Sequence, residues 1–260
     1  MDRAAALAFA ARLADAARAA IAAGSKAPEN KLVDGYDPVT ECDRAAERAM
    51  RALIAAAHPD HGVAGEEYGK TAGAGRYVWS LDPIDGTRAF ICGLPSWTTL
   101  IALLDNGAPA IGLIDAPAVG ERFTGDGDAA WLNGAAVRAS DCRTLAEARL
   151  ASTDPYLFAG AEAEAFARLR AAARLTRYGW DAYAYARLAA GTIDLVAESG
   201  LKPHDYNALV PVVRGAGGII GNWSGGTDVS AGQVLAAATP ALFEEAVGVL
   251  KASGDGSGPS

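Results

Sequence analysis

Residues 77 to 87 read Tyr-Val-Trp-Ser-Leu-Asp-Pro-Ile-Asp-Gly-Thr, an apolar run followed by two aspartates that flank a proline and an isoleucine. Tyr77 to Leu81 is short, apolar and followed by turn residues, so it predicts a buried strand that ends at Asp82. Asp-Pro and Asp-Gly both favour turns, so Asp82 and Asp85 should share one tight bend. The segment therefore predicts a strand whose end carries two neighbouring carboxylates.

The two aspartates have an ordinary explanation, which is that they only form the turn. Against it, two like charges a few ångströms apart are costly unless a cation lies between them. Gly86 and Thr87 can begin a helix, and a helix start offers free N–H groups to a phosphate. These two features favour a site for a cation and a phosphate group over a plain turn.

Two further acidic segments could complete such a site. Gly65-Glu66-Glu67 lies upstream in a glycine-rich loop, and Asp205 precedes the apolar positions Leu209 and Val212. Each has an ordinary role as well, since glutamate pairs usually lie on solvated faces and Asp205 can complement a helix dipole. Four carboxylates at element ends suit Mg²⁺, which prefers oxygen ligands. Two such ions ~3.5–4 Å apart would clamp an in-line displacement at phosphorus.

Hydrophobic periodicity and turn signals divide the rest of the chain into helices and short strands. The predicted helices are residues 2–23, 41–57 after an N-cap at Thr40, 155–173, 181–190, 205–216 and 240–252. The predicted strands are residues 77–81, 98–104, 110–114, 121–124, 129–132, 149–152, 193–197, 217–220 and 234–238. Residues 58–75 predict a loop, Asn106-Gly107 and Asn133-Gly134 predict hairpin turns, and Pro211 should kink or break its helix. Strand clusters alternating with helices predict an α/β or α+β sandwich.

The bulk composition limits the classes of protein to consider. The chain has 260 residues, is 51% hydrophobic and carries a net charge of -8. It can fold as one large domain or two joined halves, which we predict at residues 1–140 and 141–252, followed by a disordered tail at 253–260. The first half would carry metal-binding loops and an antiparallel sheet. The second would carry the substrate-selecting residues and the last metal ligand.

Charge, apolar runs and cysteines indicate the surroundings in which the protein works. No basic patch is visible, which argues against nucleic acid or anionic membrane as partners, although metal ions can still recruit a phosphate. No apolar run approaches the ~20 residues that span a bilayer. The N-terminal run is better explained as an amphipathic helix than as a signal peptide. Cys42, Cys92 and Cys142 form no CxxC motif and predict reduced thiols in a cytoplasmic protein.

The acidic motifs, in their order and spacing, resemble those of the inositol-monophosphatase superfamily of magnesium-dependent, lithium-sensitive phosphatases. They are Gly65-Glu66-Glu67, then residues 79–87, then the segment that begins near Asp205 and ends with Gly215-Ala216-Gly217-Gly218. Together they cover roughly residues 31 to 221. The resemblance implies an α+β fold, the layered αβαβα sandwich of the inositol monophosphatase and fructose-1,6-bisphosphatase type. It also implies a homodimer.

The resemblance further assigns metal ligands, residue by residue. Glu66, Asp82 and the Ile84 carbonyl would hold a first Mg²⁺. Asp82, Asp85 and Asp205 would hold a second, and a third, weaker ion would lean on Glu66. Two to three Mg²⁺ ions per active site are therefore expected.

The same resemblance assigns the catalytic groups. Gly86 and Thr87 would present N–H groups to the phosphate. The nucleophile would be a metal-bound water with a lowered pKa, oriented by Glu66 and Thr87. Asp43, in the segment Val39-Thr40-Glu41-Cys42-Asp43, would support Thr87. No covalent phosphoenzyme is needed.

Segments in the second half resemble the histidinol-phosphatase branch of the superfamily. They are residues 180–186, 188–191, 194–196 and 200–205, joined by residues 88–91, 93–95 and 121–122 of the first half. Inositol enzymes usually carry a small residue where Asp181 falls. The branch therefore implies L-histidinol phosphate, an intermediate of histidine biosynthesis, as the substrate.

Histidinol phosphate carries a primary ammonium, so its pocket should offer carboxylates beyond those on the metals. Asp181 and Glu198 are the candidates, each able to form a charge-assisted hydrogen bond. Arg88 and Asp205 complete the predicted substrate-binding set with Gly86 and Thr87. Asp181 could instead be a helix N-cap.

Several alternatives stay open. The metal motifs also fit an inositol-1-monophosphatase or another nucleotide or sugar phosphatase. His204, Asn207 and Asp115-Ala116-Pro117 depart from the branch pattern and leave the substrate open. Trp180, Tyr183 and Tyr185 could stack on a substrate ring or only pack in the core. A noncatalytic binding subunit is disfavoured because no metal-ligand position is lost, and Gly215 to Gly218 follows a helix rather than a strand, unlike a dinucleotide fingerprint.

Overall fold

The computed structural model of the chain describes residues 1–25, 27–31 and 38–252. Its α-helices are α1 (Arg3–Ala23), α2 (Glu41–Ala57), α3 (Thr87–Ile91), α4 (Ala161–Ala172), α5 (Tyr183–Ala189), α6 (Pro203–Tyr206), α7 (Leu209–Gly215) and α8 (Pro240–Lys251). Its β-strands are β1 (Pro28–Asn30), β2 (Pro38–Thr40), β3 (Gly62–Gly65), β4 (Gly69–Thr71), β5 (Tyr77–Asp85), β6 (Thr98–Asp105), β7 (Ala108–Ala116), β8 (Glu121–Gly125), β9 (Ala130–Leu132), β10 (Ala135–Ala136), β11 (Arg149–Ser152), β12 (Leu175–Tyr178), β13 (Leu195–Glu198), β14 (Ile219–Gly221) and β15 (Val234–Ala237). Short 3₁₀ turns lie at Pro117–Val119 and Leu145–Glu147. The predicted disordered tail lies outside the described residues.

The first two helices begin at side chains that cap their free N–H groups. Asp2 accepts a hydrogen bond from the Ala5 N–H at 3.3 Å. Thr40 and Asp43 form the predicted capping box at the start of α2. Both helices bury one apolar stripe, at Ala6, Phe9, Ala10, Leu13, Ala14, Ala17 and Ile21 in α1 and at Ala46, Met50 and Ile54 in α2.

Two mixed sheets and one small ribbon organise the strands. The larger sheet has eight strands in the order β10-β9-β8-β7-β6-β5-β3-β4, and only β3 and β5 pair in parallel. The smaller has five, in the order β12-β11-β13-β15-β14, with β11 parallel to both neighbours. The predicted Asn-Gly turns are confirmed, since Asn106 and Asn133 both have positive φ angles. The proposed division into halves after residue 140 stays a prediction.

Three buried apolar clusters separate five layers. α1 and α2 pack with β5, β6 and β7 on one face of the larger sheet. α5 and α7 lie between the two sheets, and α4 and α8 cover the outer face of the smaller one. The order of layers is therefore helix, sheet, helix, sheet, helix, and the predicted α+β sandwich is confirmed.

Two glycines, which have no side chain, let the middle helices approach the larger sheet closely. A Cβ at Gly112 on β7 would lie 2.0 Å from the Ala208 carbonyl, and one at Gly215 on α7 would lie 2.2 Å from the Ala129 carbonyl. Both distances are far inside van der Waals contact, so neither position accommodates a larger residue. The close approach holds the segment that carries Asp205 against the end of β5.

The structure corrects two predicted boundaries. Residues 58–75 are not a loop, because Gly62–Gly65 forms β3 beside β5 and Gly69–Thr71 forms an exposed edge strand. Edge strands of glycine and polar residues lack the alternation that identifies a strand. The helix predicted from residue 155 begins only at Ala161, after Gly160, whose φ of +53° is not helical.

The predicted helix at 205–216 is in fact two helices, α6 and α7. A proline ring clashes with the carbonyl four residues earlier, which for Pro211 is that of Asn207, and the chain leaves the helix there. Pro211 itself lies in the first turn of α7, where its missing N–H costs nothing. Strand β12 was not predicted. Its exposed residues alternate with half-buried ones, so it carries no continuous apolar run.

No helix in residues 1–25, 27–31 or 38–252 is long and apolar enough to cross a membrane. Cys42, Cys92 and Cys142 are thiols rather than disulfides, and Cys42 is buried.

Candidate metal and phosphate site

The bend after Leu81 is a distortion at the end of β5. The pairing of β5 with β6 shifts register between Asp82 and Asp85. Asp82 is 2% exposed and its Oδ1 accepts a hydrogen bond from the Ile84 N–H at 3.1 Å. The strand was predicted to end at Asp82 in a turn, but it continues to Asp85, and a bulge within the strand leaves both carboxylates near its end.

Three carboxylates converge at this end. Oxygens of Asp82, Asp85 and Asp205 all lie within 4.8 Å of one another. α6 brings Asp205, and its N-cap Lys202 donates its backbone N–H to Asp205 Oδ2 at 2.7 Å. The neighbouring Asn207 Nδ2 donates to Ser80 Oγ on β5 at 3.1 Å, which ties the segment to the strand.

The electrostatics of this cluster fit a cation. Burial first, then the neighbouring charges of Glu66, Asp85 and Asp205, raise the pKa of Asp82 well above its usual range. Burial, then Asp181 and Asp205, does the same for the pKa of Asp85. Buried like charges at this spacing are destabilising by themselves, whereas a divalent cation would neutralise them. An all-carboxylate donor set is the one that Mg²⁺ and other hard cations prefer.

Glu66 lies beside the cluster but outside the group of three. Its backbone N–H donates to the Leu81 carbonyl at 3.1 Å, which holds it at the end of β5. Its Oε1 accepts from Lys31 Nζ at 2.9 Å, and the same ammonium lies 2.5 Å from Glu67 Oε1. A lysine thus supplies positive charge at Glu66, where an ion was predicted. The sequence analysis did not single out Lys31.

The predicted phosphate-binding residues form the sharp start of α3. Gly86 has φ +79°, a left-handed conformation that favours glycine, and it is the N-cap of the helix. Thr87 Oγ1 donates to the Ile84 carbonyl at 3.0 Å. The carbonyl predicted to bind a metal and the predicted catalytic hydroxyl are therefore neighbours.

Asp43 is buried on α2 and faces Thr40. Its Oδ2 accepts from the Thr40 N–H at 2.8 Å and from the Thr40 hydroxyl at 2.6 Å. Its Oδ1 is buried without a hydrogen-bond partner. The strand that ends at Thr40 lies against α3, but Thr87 donates its hydroxyl to Ile84 rather than to Asp43 here. The predicted support of Thr87 by Asp43 stays a prediction.

A cavity of about 200 Å³ opens next to the aspartate cluster. Its walls are Asp85, Thr153, Leu157, Asp181, Ala182, Tyr185, Glu198, Ser199, Gly200, Leu201, Asp205 and Leu209. It therefore contains two metal-cluster aspartates and both carboxylates that were predicted to select the substrate. Thr153 is an addition that only the fold could reveal, whereas Tyr185 is one of the three aromatics considered above as possible substrate contacts.

The two selecting carboxylates are held differently. Glu198 is buried and accepts from the Thr153 N–H at 2.7 Å and hydroxyl at 3.1 Å, and burial raises its pKa to about 8. Asp181 lies directly above the phosphate cradle, because a Cβ on Gly86 would be 3.0 Å from its Oδ2. Burial raises the pKa of Asp181 to about 6, and the positive charge of Arg88 opposes that rise.

The alternative role of Asp181 as a helix N-cap is wrong. Ala182 is the N-cap residue of α5 and no side chain caps that helix. Asp181 adopts φ +45°, which is strained for a residue with a side chain. The next N–H, that of Ala182, donates to Asp85 Oδ2 at 2.8 Å. His204, whose role was open, lies with Nε2 3.3 Å from Asp205 Oδ1.

The three aromatic residues of the segment 180–185 line two different cavities. The rings of Trp180 and Tyr183 pack on each other with centroids 5.8 Å apart, and both line an apolar cavity away from the aspartates. Tyr183 donates its hydroxyl to Glu121 Oε2 at 2.8 Å. Only Tyr185, of these three, lines the cavity beside the aspartate cluster.

Known phosphatases are similar to this chain in sequence and in structure. The chain is 48% identical over 196 residues to the Arabidopsis thaliana protein named bifunctional phosphatase IMPL2, chloroplastic, a match that covers 74% of this chain and only 56% of that protein. It is 34% identical over 251 residues to the histidinol-phosphatase of Streptomyces coelicolor, covering 92% of this chain and 94% of the relative. A solved inositol monophosphatase from Zymomonas mobilis superposes with a TM-score of 0.86 at 40% identity, covering 97% of this chain and all of that one.

The sequence model of the inositol monophosphatase family matches residues 2–254, nearly the whole chain. The fold and the family that residues 79–87 predicted are confirmed by these matches. The family is one of phosphatases, and the acidic cluster at Asp82, Asp85 and Asp205 is a group that could hold its metal. The chain belongs to the inositol monophosphatase family.

Proposed function

We propose that the protein hydrolyses L-histidinol phosphate, with water, to L-histidinol and inorganic phosphate, and that the reaction depends on Mg²⁺. One observation carries the choice of substrate. The cavity beside the aspartate cluster contains two further carboxylates, Asp181 and Glu198, that are not part of that cluster. Surplus negative charge beside a metal site suits a phosphate ester whose alcohol half is cationic.

In this proposal Glu66, Asp82 and the Ile84 carbonyl would hold a first ion, and Asp82, Asp85 and Asp205 would hold a second. Glu66 would also hold a third, weaker ion. When bound, the ions supply positive charge to the phosphate oxygens and lower the pKa of the attacking water.

The chain's own groups orient the phosphate and move one proton. Gly86 and Thr87 direct N–H groups at the phosphate from the start of α3. Glu66 accepts the proton of the attacking water. Thr87 Oγ1, which donates a hydrogen bond to the Ile84 carbonyl at 3.0 Å, aligns that water. Asp43 positions Thr87 through the adjoining strand β2.

The alcohol half then lies between two carboxylates at different depths. Asp181, close to Gly86, is next to the ester end, and Glu198 is at the buried wall. Arg88 raises the local positive potential near Asp181 and keeps the phosphate end of the substrate oriented towards the metals. Charge-assisted hydrogen bonds from the substrate ammonium to these carboxylates discriminate against neutral alcohols.

A second candidate is hydrolysis of inositol 1-phosphate. It is favoured by the match to the Zymomonas mobilis inositol monophosphatase at 40% identity over 97% of this chain. A neutral polyol can donate hydroxyl hydrogen bonds to Asp181 but brings no opposite charge to it, which is why we place it second. A cytoplasmic location and a homodimer are part of the proposal and come from the family resemblance.

The test is a panel of kcat/KM values for histidinol phosphate, inositol 1-phosphate and adenosine 3′,5′-bisphosphate, measured with Mg²⁺ and with EDTA. We expect histidinol phosphate to be preferred by at least about 10²-fold, since each of the two lost hydrogen bonds to Asp181 and Glu198 costs about 1.5–3 kcal/mol. A higher value for inositol 1-phosphate would reject the substrate and leave the metal chemistry standing. Undiminished turnover in EDTA would reject the dependence on Mg²⁺. No phosphate release from any ester would reject the phosphatase activity and favour a binding role.

A further inference from the structure

Tyr185 is a buried phenol whose hydroxyl has no hydrogen-bond partner in the protein. It is 1% exposed and its Oη is among the few buried side-chain oxygens without a partner in the described chain. Buried tyrosine hydroxyls almost always find a partner, because an unmade hydrogen bond costs about 1–3 kcal/mol. Here the ring lines the cavity next to the aspartate cluster. The missing partner is therefore expected to come from whatever fills that cavity.

The surroundings of this hydroxyl determine what kind of group it can meet. After burial, the charges of Glu198, Asp85 and Asp205 raise the pKa of Tyr185 well above its usual range, so it stays a neutral phenol. Each of these neighbours is a hydrogen-bond acceptor. The part of the cavity near Tyr185 is thus rich in oxygens that accept and poor in groups that donate.

A primary ammonium matches this arrangement because it has three donors and no acceptor. Asp181, Glu198 and Tyr185 offer three oxygens in one small cavity. Glu198 already takes two hydrogen bonds from Thr153, which fixes its carboxylate and leaves its remaining lone pairs for a ligand. Leu157, Leu201 and Leu209 supply apolar walls for the rest of the alcohol.

We propose that Tyr185 Oη accepts a hydrogen bond from the primary ammonium of the substrate alcohol and so selects amino-alcohol phosphates. This inference rests on the proposed function and adds a neutral third contact to the two carboxylates. Tyr185 acts on specificity and takes no part in proton transfer.

The test replaces Tyr185 by phenylalanine and compares two esters that differ only in the amine, histidinol phosphate and 3-(imidazol-4-yl)propyl phosphate. In Tyr185→Phe we expect kcat/KM for histidinol phosphate to fall about tenfold, mostly through KM, as for the loss of one hydrogen bond to a charged donor. For the ester without the amine, and for p-nitrophenyl phosphate, kcat/KM should stay within about twofold. Calorimetric affinity for L-histidinol should fall by the same factor as kcat/KM.

Tyr178→Phe is the matched control. The Tyr178 hydroxyl is also buried without a partner, but its ring packs near Phe166, 6.4 Å away between centroids, on the far side of the smaller sheet. It should leave both esters unchanged. An equal loss on both esters in Tyr185→Phe, or no loss on histidinol phosphate, overturns the inference while the proposed function stands. If the wild-type enzyme hydrolyses p-nitrophenyl phosphate but not histidinol phosphate, the proposed function fails and the inference fails with it.

Discussion

Replacing Asp82 by asparagine should make the metal-free protein more stable and the enzyme nearly inactive. Oxygens of Asp82, Asp85 and Asp205 lie within 4.8 Å of one another. At that separation, and with an effective dielectric constant of about 20, two unit charges repel by about 3.5 kcal/mol. Asp82 belongs to two such pairs, although protonation and solvent relieve much of the repulsion. We therefore expect a net gain of about 1–3 kcal/mol in the free energy of unfolding without metal.

The substitution is conservative in shape. An asparagine Oδ1 can still accept the Ile84 N–H that Asp82 accepts at 3.1 Å, so the turn should survive. The variant nevertheless loses the charged metal ligand at Asp82. This loss should cost several kcal/mol of transition-state stabilisation and lower kcat at least about 10²-fold.

Thermal unfolding in EDTA tests the expected gain in stability of the variant, and thermal unfolding in Mg²⁺ tests its expected weaker stabilisation by the metal. Without metal, the midpoint of Asp82→Asn should lie on the order of 5 °C above that of the wild type, at about 2–4 °C per kcal/mol for a chain of this size. With Mg²⁺ the wild type should gain more than the variant. Turnover of p-nitrophenyl phosphate by the variant should be barely measurable.

Asp115→Asn provides a control with the opposite sign. Asp115 is fully buried and paired with Arg18 at 2.6 Å and Arg122 at 2.7 Å. Removing its charge takes a carboxylate from both arginines, although Arg122 keeps Asp15 at 2.7 Å. It should destabilise the fold by about 2–3 kcal/mol, less than for a fully buried pair because both arginines are partly exposed. If Asp82→Asn also destabilises the metal-free protein, or turns over normally, the idea of a repulsive cluster that binds metal is refuted.

Two further predictions concern the carboxylates of the alcohol pocket. Asp181→Ala should lower kcat/KM for histidinol phosphate by about 10²-fold and that for inositol 1-phosphate by less than about threefold, measured on the same substrate panel; an equal loss on both would remove Asp181 from substrate selection. Burial raises the pKa of Glu198 to about 8, above its unfolded value of about 4.3, so its contribution to stability is fully present below about pH 4 and is lost as the pH rises towards 8. Glu198→Gln should therefore show a smaller fall in the free energy of unfolding between pH 5 and pH 8.5 than the wild type, by guanidinium titration in EDTA. Identical falls would contradict a Glu198 that is protonated while the pocket is empty, a state that a bound ammonium would convert to the carboxylate.

The part of the site that is local in sequence was predictable. Asp82, Asp85, Gly86 and Thr87 lie within six residues, so strand and turn rules alone bring them together. Capping rules likewise located the start of α2 at Thr40. Contacts within a few residues are governed by backbone propensities that each residue type carries with it.

Other features depend on contacts between distant segments and needed the fold. Thr153 meets Glu198 because their strands, β11 and β13, are neighbours in the smaller sheet. Lys31 reaches Glu66 across 35 residues. Asp181 adopts a positive φ angle, and no propensity predicts that for an aspartate before a helix. β3 escaped notice because it has only two larger apolar residues between two glycines, and β4 because it is an exposed edge strand of glycine and polar residues.

One hydrogen bond connects the aspartate cluster with the backbone that carries Asp181. Asp85 contributes one oxygen to the acidic cluster, while its Oδ2 accepts the Ala182 N–H at 2.8 Å. Any ion that draws on Asp85 therefore also acts on the backbone that sets the position of Asp181. Because such a linkage is reciprocal, an amine that occupies the alcohol pocket must change the affinity for the ion by the same factor as the ion changes the affinity for the amine. If the proposed function holds, substrate selectivity and metal affinity in this protein share a single coupling free energy.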